Sequence, residues 1–314
     1  LIFTAGIRGI QSCRHPSLIT AVTGAIGLHL RNTCAGVRMS KASTYSLLTQ
    51  VTYVRILISI MYTYVQLVDD GNGLSDAYPE LSPDDPKHKW AVNGHISNEV
   101  FAMADYDLLT IGNHELYNFS VARDVYEYFV PHWGDRYLTS NVNISLPEAD
   151  GTLRSRPIGQ RFTRFKTRNQ QLDIQAYGVL FNFQLGAEGI HVQDPKDMVR
   201  EPWFQESLRA FSHVDAFVIA GHMPVTGHDG WDALHAAIRD VWPTTPILML
   251  AGHTHVRDCR MLDDYAMALE SGRYLETIGW MSVSNVSSER PTFSRRYIDA
   301  NPRNYVRWHR VLFV

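Results

Sequence analysis

The chain has 314 residues, of which 45% are hydrophobic and 19% charged, so it can bury one large core or two ordinary ones and is not a disordered polypeptide. Lys and Arg total 29 against 32 acids, a net charge of -3, which argues against an electrostatic nucleic-acid surface. Cys13, Cys34 and Cys259 are too few and too widely spaced for a cysteine zinc site or a complete disulfide framework.

Taken in chain order, residues 1–66 form an atypical segment of uncertain structure. It is rich in Thr, Ser, Ile and Leu, carries Arg8, Arg14, Arg31, Arg38, Lys41 and Arg55, and has no acid, a balance found in targeting regions. Residues 47–68 approach the roughly 20 apolar residues that span a bilayer. Gln50, Arg55, Gln66 and many β-branched residues favour a buried strand or helix there instead. Residues 67–314 read as one domain. Apolar runs predict strands over 106–111, 137–142, 172–183, 216–220 and 247–251, and two more around Ser271-Gly272 within 265–283. Helical spacing covers 121–130, with Ser120 as cap and Pro131 as stop, then 203–211 and 231–241. Residues 147–170 are polar and punctuated by glycine and arginine, the pattern of an exposed loop. Strand and helix alternating in this way predicts an α/β fold, a layered β-sandwich flanked by helices.

Three of the strands end in chemistry. Gly112-Asn113-His114-Glu115 follows the first, Gly221-His222 follows 216–220, and Gly252-His253-Thr254-His255 follows 247–251. Ligands of open α/β sheets gather beyond the carboxyl ends of strands, so these distant segments are expected to converge, each glycine letting the backbone turn sharply. Neutral imidazole and an amide oxygen suit a divalent metal. His253 and His255 would share a face if extended, whereas a turn after Gly252 would aim them at neighbouring ions. His95, His132, His228 and His235 lack such a setting and read as surface or packing residues. Arg257 and Arg273 have the fork that binds phosphate, but read rather as structural ion-pair partners.

From about Asp70 to Tyr305 the chain resembles the calcineurin-like metallophosphoesterases, most closely the fungal branch similar to 5'-nucleotidases. The likeness runs in order through Asp70-Gly71-Asn72-Gly73-Leu74-Ser75-Asp76, residues 105–116, Gly221-His222-Met223-Pro224, residues 266–274 and Arg296-Tyr297-Ile298-Asp299-Ala300-Asn301. The resemblance implies that Asn113, His222 and His253 bind one divalent metal and His255 a second, that His114 faces the scissile phosphate, and that Asp70 orients His114. It implies water attack on a phosphomonoester, with a small phosphorylated substrate such as a nucleotide. Net charge speaks against a nucleic-acid partner and the make-up of residues 47–68 against a membrane one. Zn, Mn, Fe and Mg are not distinguished.

The departures weigh as much. The family's upstream Asp-x-His and its bridging Gly-Asp are missing: residues 1–68 contain no aspartate, and about five residues of the family pattern fall out between Asp69 and Asp70. A bridging carboxylate offsets repulsion between two cations about 3.5 to 4 Å apart. Its loss predicts one ion rather than two, impaired activity, and an amino-terminal end of the fold that is incomplete. The alternative is an inactive remnant or binding protein with a partial metal site. Full-length members also continue into a separate carboxyl-terminal domain that helps select nucleotides. Asn118, Asn143 and Asn285 open glycosylation triplets, which favours a secretory, vacuolar or extracellular location over a cytoplasmic one.

Overall fold

The computed structural model describes residues 106–168, 170–273, 276–286 and 290–299, seven further positions (92, 94, 95, 98, 101, 102 and 301), and the backbone of Ile2–Thr4 and Tyr53–Val54. Its centre is a six-stranded sheet in the order Arg257–Asp263, Ala266–Ser271, Ile247–Ala251, Ala216–His222, Asp173–Leu180 and Phe162–Lys166. The middle four are parallel and the two edges antiparallel. A second, four-stranded sheet pairs Thr292–Asp299 with Thr277–Ser284, which in turn pairs Ile2–Thr4 and then Tyr53–Val54.

Alternation along the central strands decides the layering. Ala216, Val218 and Ala220 pack with Leu248, Leu269, Met281 and Val283 between the two sheets. Phe217 and Ile219 point the other way, onto Phe204 and Leu208 of the helix Pro202–Arg209 and Trp231, Leu234 and Ile238 of the helix Gly230–Arg239. Both faces are thereby buried, which is why the strand sequences are continuously apolar. Each fully buried Val, Leu, Ile or Phe contributes about 1.5 to 3 kcal/mol relative to exposure, so this pattern fixes the register strongly. The architecture is the sheet sandwich with outer helices that the sequence predicts.

Several predicted elements change in detail. The helix expected over 121–130 starts earlier: Asn118, not Ser120, caps the helix Phe119–Asp124 by accepting the Ser120 N–H at 2.9 Å. Pro131 does not stop it. The ladder widens into a π turn over Val125–Phe129, where the Val130 N–H reaches back to Val125 O, and Pro131 lies within the last turn, Val130–Trp133. The loop expected over 147–170 contains two strands, Leu153–Pro157 and Phe162–Lys166. The first is an exposed edge strand whose Arg154 and Arg156 mask it from a hydrophobicity reading. The first predicted strand shrinks to Leu109–Thr110, paired with Tyr137–Leu138. Strands Arg257–Asp263 and Thr292–Asp299 have no counterpart in the prediction.

Candidate metal centre at the carboxyl edge of the sheet

Because the four central strands run parallel, Leu180, His222, Ala251 and Ser271 end on one edge. His222 is the last residue of its strand and only 1% exposed. Directly after the neighbouring strand come Gly252 and His253, and the Gly252 N–H donates to Met223 O at 3.2 Å, tying the two exits together. Asn113 enters from the Leu109–Thr110 side and directly precedes the single turn His114–Leu116. Asn113 Oδ1 lies 3.0 Å from His222 Nε2, and His253 Nδ1 lies 3.3 Å from the same nitrogen.

Those separations are informative. Two donor atoms each about 2.1 Å from one ion stand about 3.0 Å apart at a right angle and about 3.4 Å apart at a tetrahedral angle. An amide oxygen and two imidazole nitrogens at this spacing fit the edges of a coordination polyhedron, and their chemistry suits a divalent transition metal. His114 and His255 lie in electrostatic range of the same group. Burial pushes His222 well below the ordinary imidazole pKa, and His253, His114 and His255 push it further. His253 and His255 are lowered as well, chiefly by burial, then by His255 for His253 and by Arg273 for His255. Lowering favours the neutral form of His222, His253 and His255, the state in which imidazole binds metals.

The three glycines act differently from the sequence expectation. None of Gly112, Gly221 and Gly252 has the left-handed backbone of a sharp turn. Gly221 lies inside its strand, and a Cβ there would stand 2.2 Å from Trp231 Cη2, so it is small because the indole packs on the backbone. Gly112 and Gly252 border the His222 ring. The turn is made by the histidines themselves, with φ of 92° at His253 and 65° at His255, strained values that put the pair on a bend rather than on one extended face.

That bend is held from below. Glu270 Oε1 accepts from Thr254 N at 2.7 Å and Thr254 Oγ1 at 2.6 Å, bracketing the residue between the two histidines. Glu270 is wholly buried, which raises its pKa although the Thr254 hydrogen bonds pull it back. Phe181 packs at a tilt against the His253 ring, with centroids 4.3 Å apart. Glu115, also buried, accepts the Gly112 N–H at 3.0 Å and closes the loop that carries Asn113. Glu270, Phe181 and Tyr117 were not singled out in the sequence; only Tyr117, one helical turn after Asn113, lies at a spacing that points to it.

Asp70, with Asp69 and the Asp70–Asp76 loop, lies outside the described residues. Arg257 pairs with Asp299 at 2.5 Å, the structural role expected. His95 pairs with Asp124, His235 with Asp263, and His132 packs on Trp133. His228, expected to be an ordinary packing residue, does pack on Phe181, close enough to influence His253. Cys259 is a free, half-buried thiol.

The model of one family, calcineurin-like phosphoesterase, matches residues 67–257. The chain belongs to the calcineurin-like phosphoesterase family. An uncharacterized protein of Schizosaccharomyces pombe is 37% identical over 267 residues, 76% of this chain and 41% of the relative. A protein of Arthroderma benhamiae named as secreted is 40% identical over 222 residues, 70% of this chain and 31% of the relative. Among solved structures, a 5'-nucleotidase of Candida albicans matches with a TM-score of 0.64 and 38% identity, covering 70% of this chain and 41% of that one. The chain thus spans about two fifths or less of the length of these relatives.

Proposed function

We propose that this chain is a metal-dependent phosphoester hydrolase that cleaves a small phosphomonoester, a nucleotide being the class named by its Candida albicans relative. The observation that carries the reading is the convergence of Asn113 Oδ1, His222 Nε2 and His253 Nδ1 within 3.0 and 3.3 Å contacts at the carboxyl edge. In this reading those three residues hold one divalent ion and His255 reaches toward a second. A bound ion would lower the pKa of water and offset charge on phosphoryl oxygens. The chain's own part is to keep the imidazoles neutral by burial, to fix the 253–255 bend through Glu270, and to present His114 to the substrate as a donor to phosphoryl or leaving-group oxygen.

A second reading rests on a specific observation: no aspartate precedes Asp69, so the family's Asp-x-His and bridging Gly-Asp have no counterpart in this sequence. A chain with one ion and no turnover would be a binding protein on a hydrolase fold. Elemental analysis with p-nitrophenyl phosphate and AMP assays separates the two. Turnover with bound transition metal, abolished in His114→Asn with metal retained, supports the hydrolase; bound metal without turnover supports the binding protein; no metal overturns both.

The secreted relative supports residence in the secretory pathway, vacuole or exterior. Asn118 and Asn285 are exposed, and Asn143 is half-buried against Ser155. A mobility shift on endoglycosidase treatment of protein from a fungal host is expected, and its absence would remove this support. Among the described residues no helix is long and apolar enough to cross a membrane.

A further inference from the structure

Tyr117 ends the turn that begins at His114, and its side chain is bound on three sides. The Asn113 amide nitrogen Nδ2 donates to the Tyr117 hydroxyl at 3.0 Å. The ring meets His114 edge-on at 5.4 Å and Phe183 edge-on at 5.1 Å. The ring nonetheless stays 48% exposed.

An amide has one face that suits a cation and one that repels it. With Nδ2 engaged by the hydroxyl, Oδ1 is the end that faces His222 Nε2 at 3.0 Å. Rotating the Asn113 amide by half a turn would place two N–H donors where the oxygen stands, which no cation tolerates. The residue that takes up the N–H therefore chooses which end of the amide meets the metal. Partners behind a ligand commonly set its orientation and basicity, and their loss costs about 10- to 100-fold in metal affinity.

We propose that Tyr117 is a positioning residue for the metal centre: its hydroxyl fixes the Asn113 amide with the oxygen toward the ion, while its ring steadies His114. The inference rests on the metal site proposed above. It concerns this chain's own geometry, however, and has a readout without metal.

The test compares Tyr117→Phe with the wild type in the full chain. Phenylalanine keeps the ring contacts with His114 and Phe183 and removes only the hydroxyl. Titration with Zn(II) against a competing chelator is expected to show affinity reduced about 10- to 100-fold, with the melting temperature of the metal-free protein unchanged. Equal affinities would overturn the proposal. A wild type that binds no Zn(II) would instead defeat the functional reading, and the tether is then judged by NMR on metal-free protein: hydrogen exchange of the Asn113 side-chain amide faster in Tyr117→Phe supports it, and unchanged exchange overturns it. Tyr117→Ala, which also frees the His114 ring, is expected to bind Zn(II) no better than Tyr117→Phe, and wild-type affinity in Tyr117→Ala would overturn the proposal too.

Discussion

At the carboxyl end of the six-stranded sheet, His222 is buried among three other imidazoles beside an amide oxygen. At the amino end of the same strands, Asp173, His213 and Asp215 also gather, with possible donor atoms within 4.8 Å of one another. Both ends bring ligand-type atoms together. They differ in charge and in burial. Asp173 gives one carboxylate oxygen to Arg164 at 3.1 Å and the other to Lys166 at 2.8 Å, and the Lys166 hydrogen bond is the chief cause of its lowered pKa. Asp215 accepts the Asp173 N–H at 2.8 Å and faces His213 at 3.0 Å. His213 is 64% exposed. The amino end is thus a self-neutralised surface cluster, whereas at the carboxyl end buried Asn113 and His222 meet His253 with their donor atoms turned toward one another. Proximity of ligand atom types is a weak criterion; convergence of uncharged donors under burial is a stronger one.

The comparison breaks most readily at His222. His222→Ala should lower affinity for a divalent metal by more than about 100-fold, beyond the loss typical of a residue behind a ligand, while Asp215→Ala leaves it unchanged. Isothermal titration of both variants checks this, and equal losses would erase the distinction between the two ends. Next in size is Gly221→Ala. The added Cβ meets the Trp231 ring at 2.2 Å, and that indole is anchored by its hydrogen bond to Pro224 O at 2.8 Å. Overpacking of this kind costs about 1 to 3 kcal/mol, visible as a lowered urea midpoint with an unchanged slope.

Much of this was legible in the sequence and some was not. The central strands and the emission of Asn113, His222 and the His253 pair at one edge follow from apolar runs ended by glycine. Parallel strands buried on both faces give that signal clearly. The glycines themselves misled, because a residue kept small by a tryptophan packed against it from ten positions later leaves the same letter as one kept small for a turn. Glu270 stands in the 266–274 segment that carries the resemblance, but its role does not show in the sequence, because its two hydrogen bonds to Thr254 span sixteen residues and depend on the pairing of strands. The Leu153–Pro157 strand was missed because its exposed arginines erase the alternation on which strand reading relies.

Smaller effects sharpen the account. Glu270→Ala releases Thr254 and should destabilise the 253–255 bend, costing about 1 to 3 kcal/mol for a buried hydrogen-bonding partner and weakening metal binding, measured by denaturation and titration together. The gentlest test is pH. His222, His253 and His255 all lie below the ordinary value of 6.5 in the folded chain, so the unfolded chain binds more protons as pH falls through that value. Stability from the site is therefore full above about pH 6.5 and declines below it. Urea denaturation of metal-free protein should show a lower midpoint at pH 5.5 than at pH 7.5, and His222→Gln should reduce the difference. A midpoint that rises on acidification would reverse the sign assigned to the cluster.

The most direct measurement is anomalous diffraction from crystals grown with Zn(II) or Mn(II). A peak is expected within about 2.0 to 2.2 Å of Asn113 Oδ1, His222 Nε2 and His253 Nδ1, and none between Asp173, His213 and Asp215. A peak at the amino end with an empty carboxyl edge would contradict the proposed metal centre.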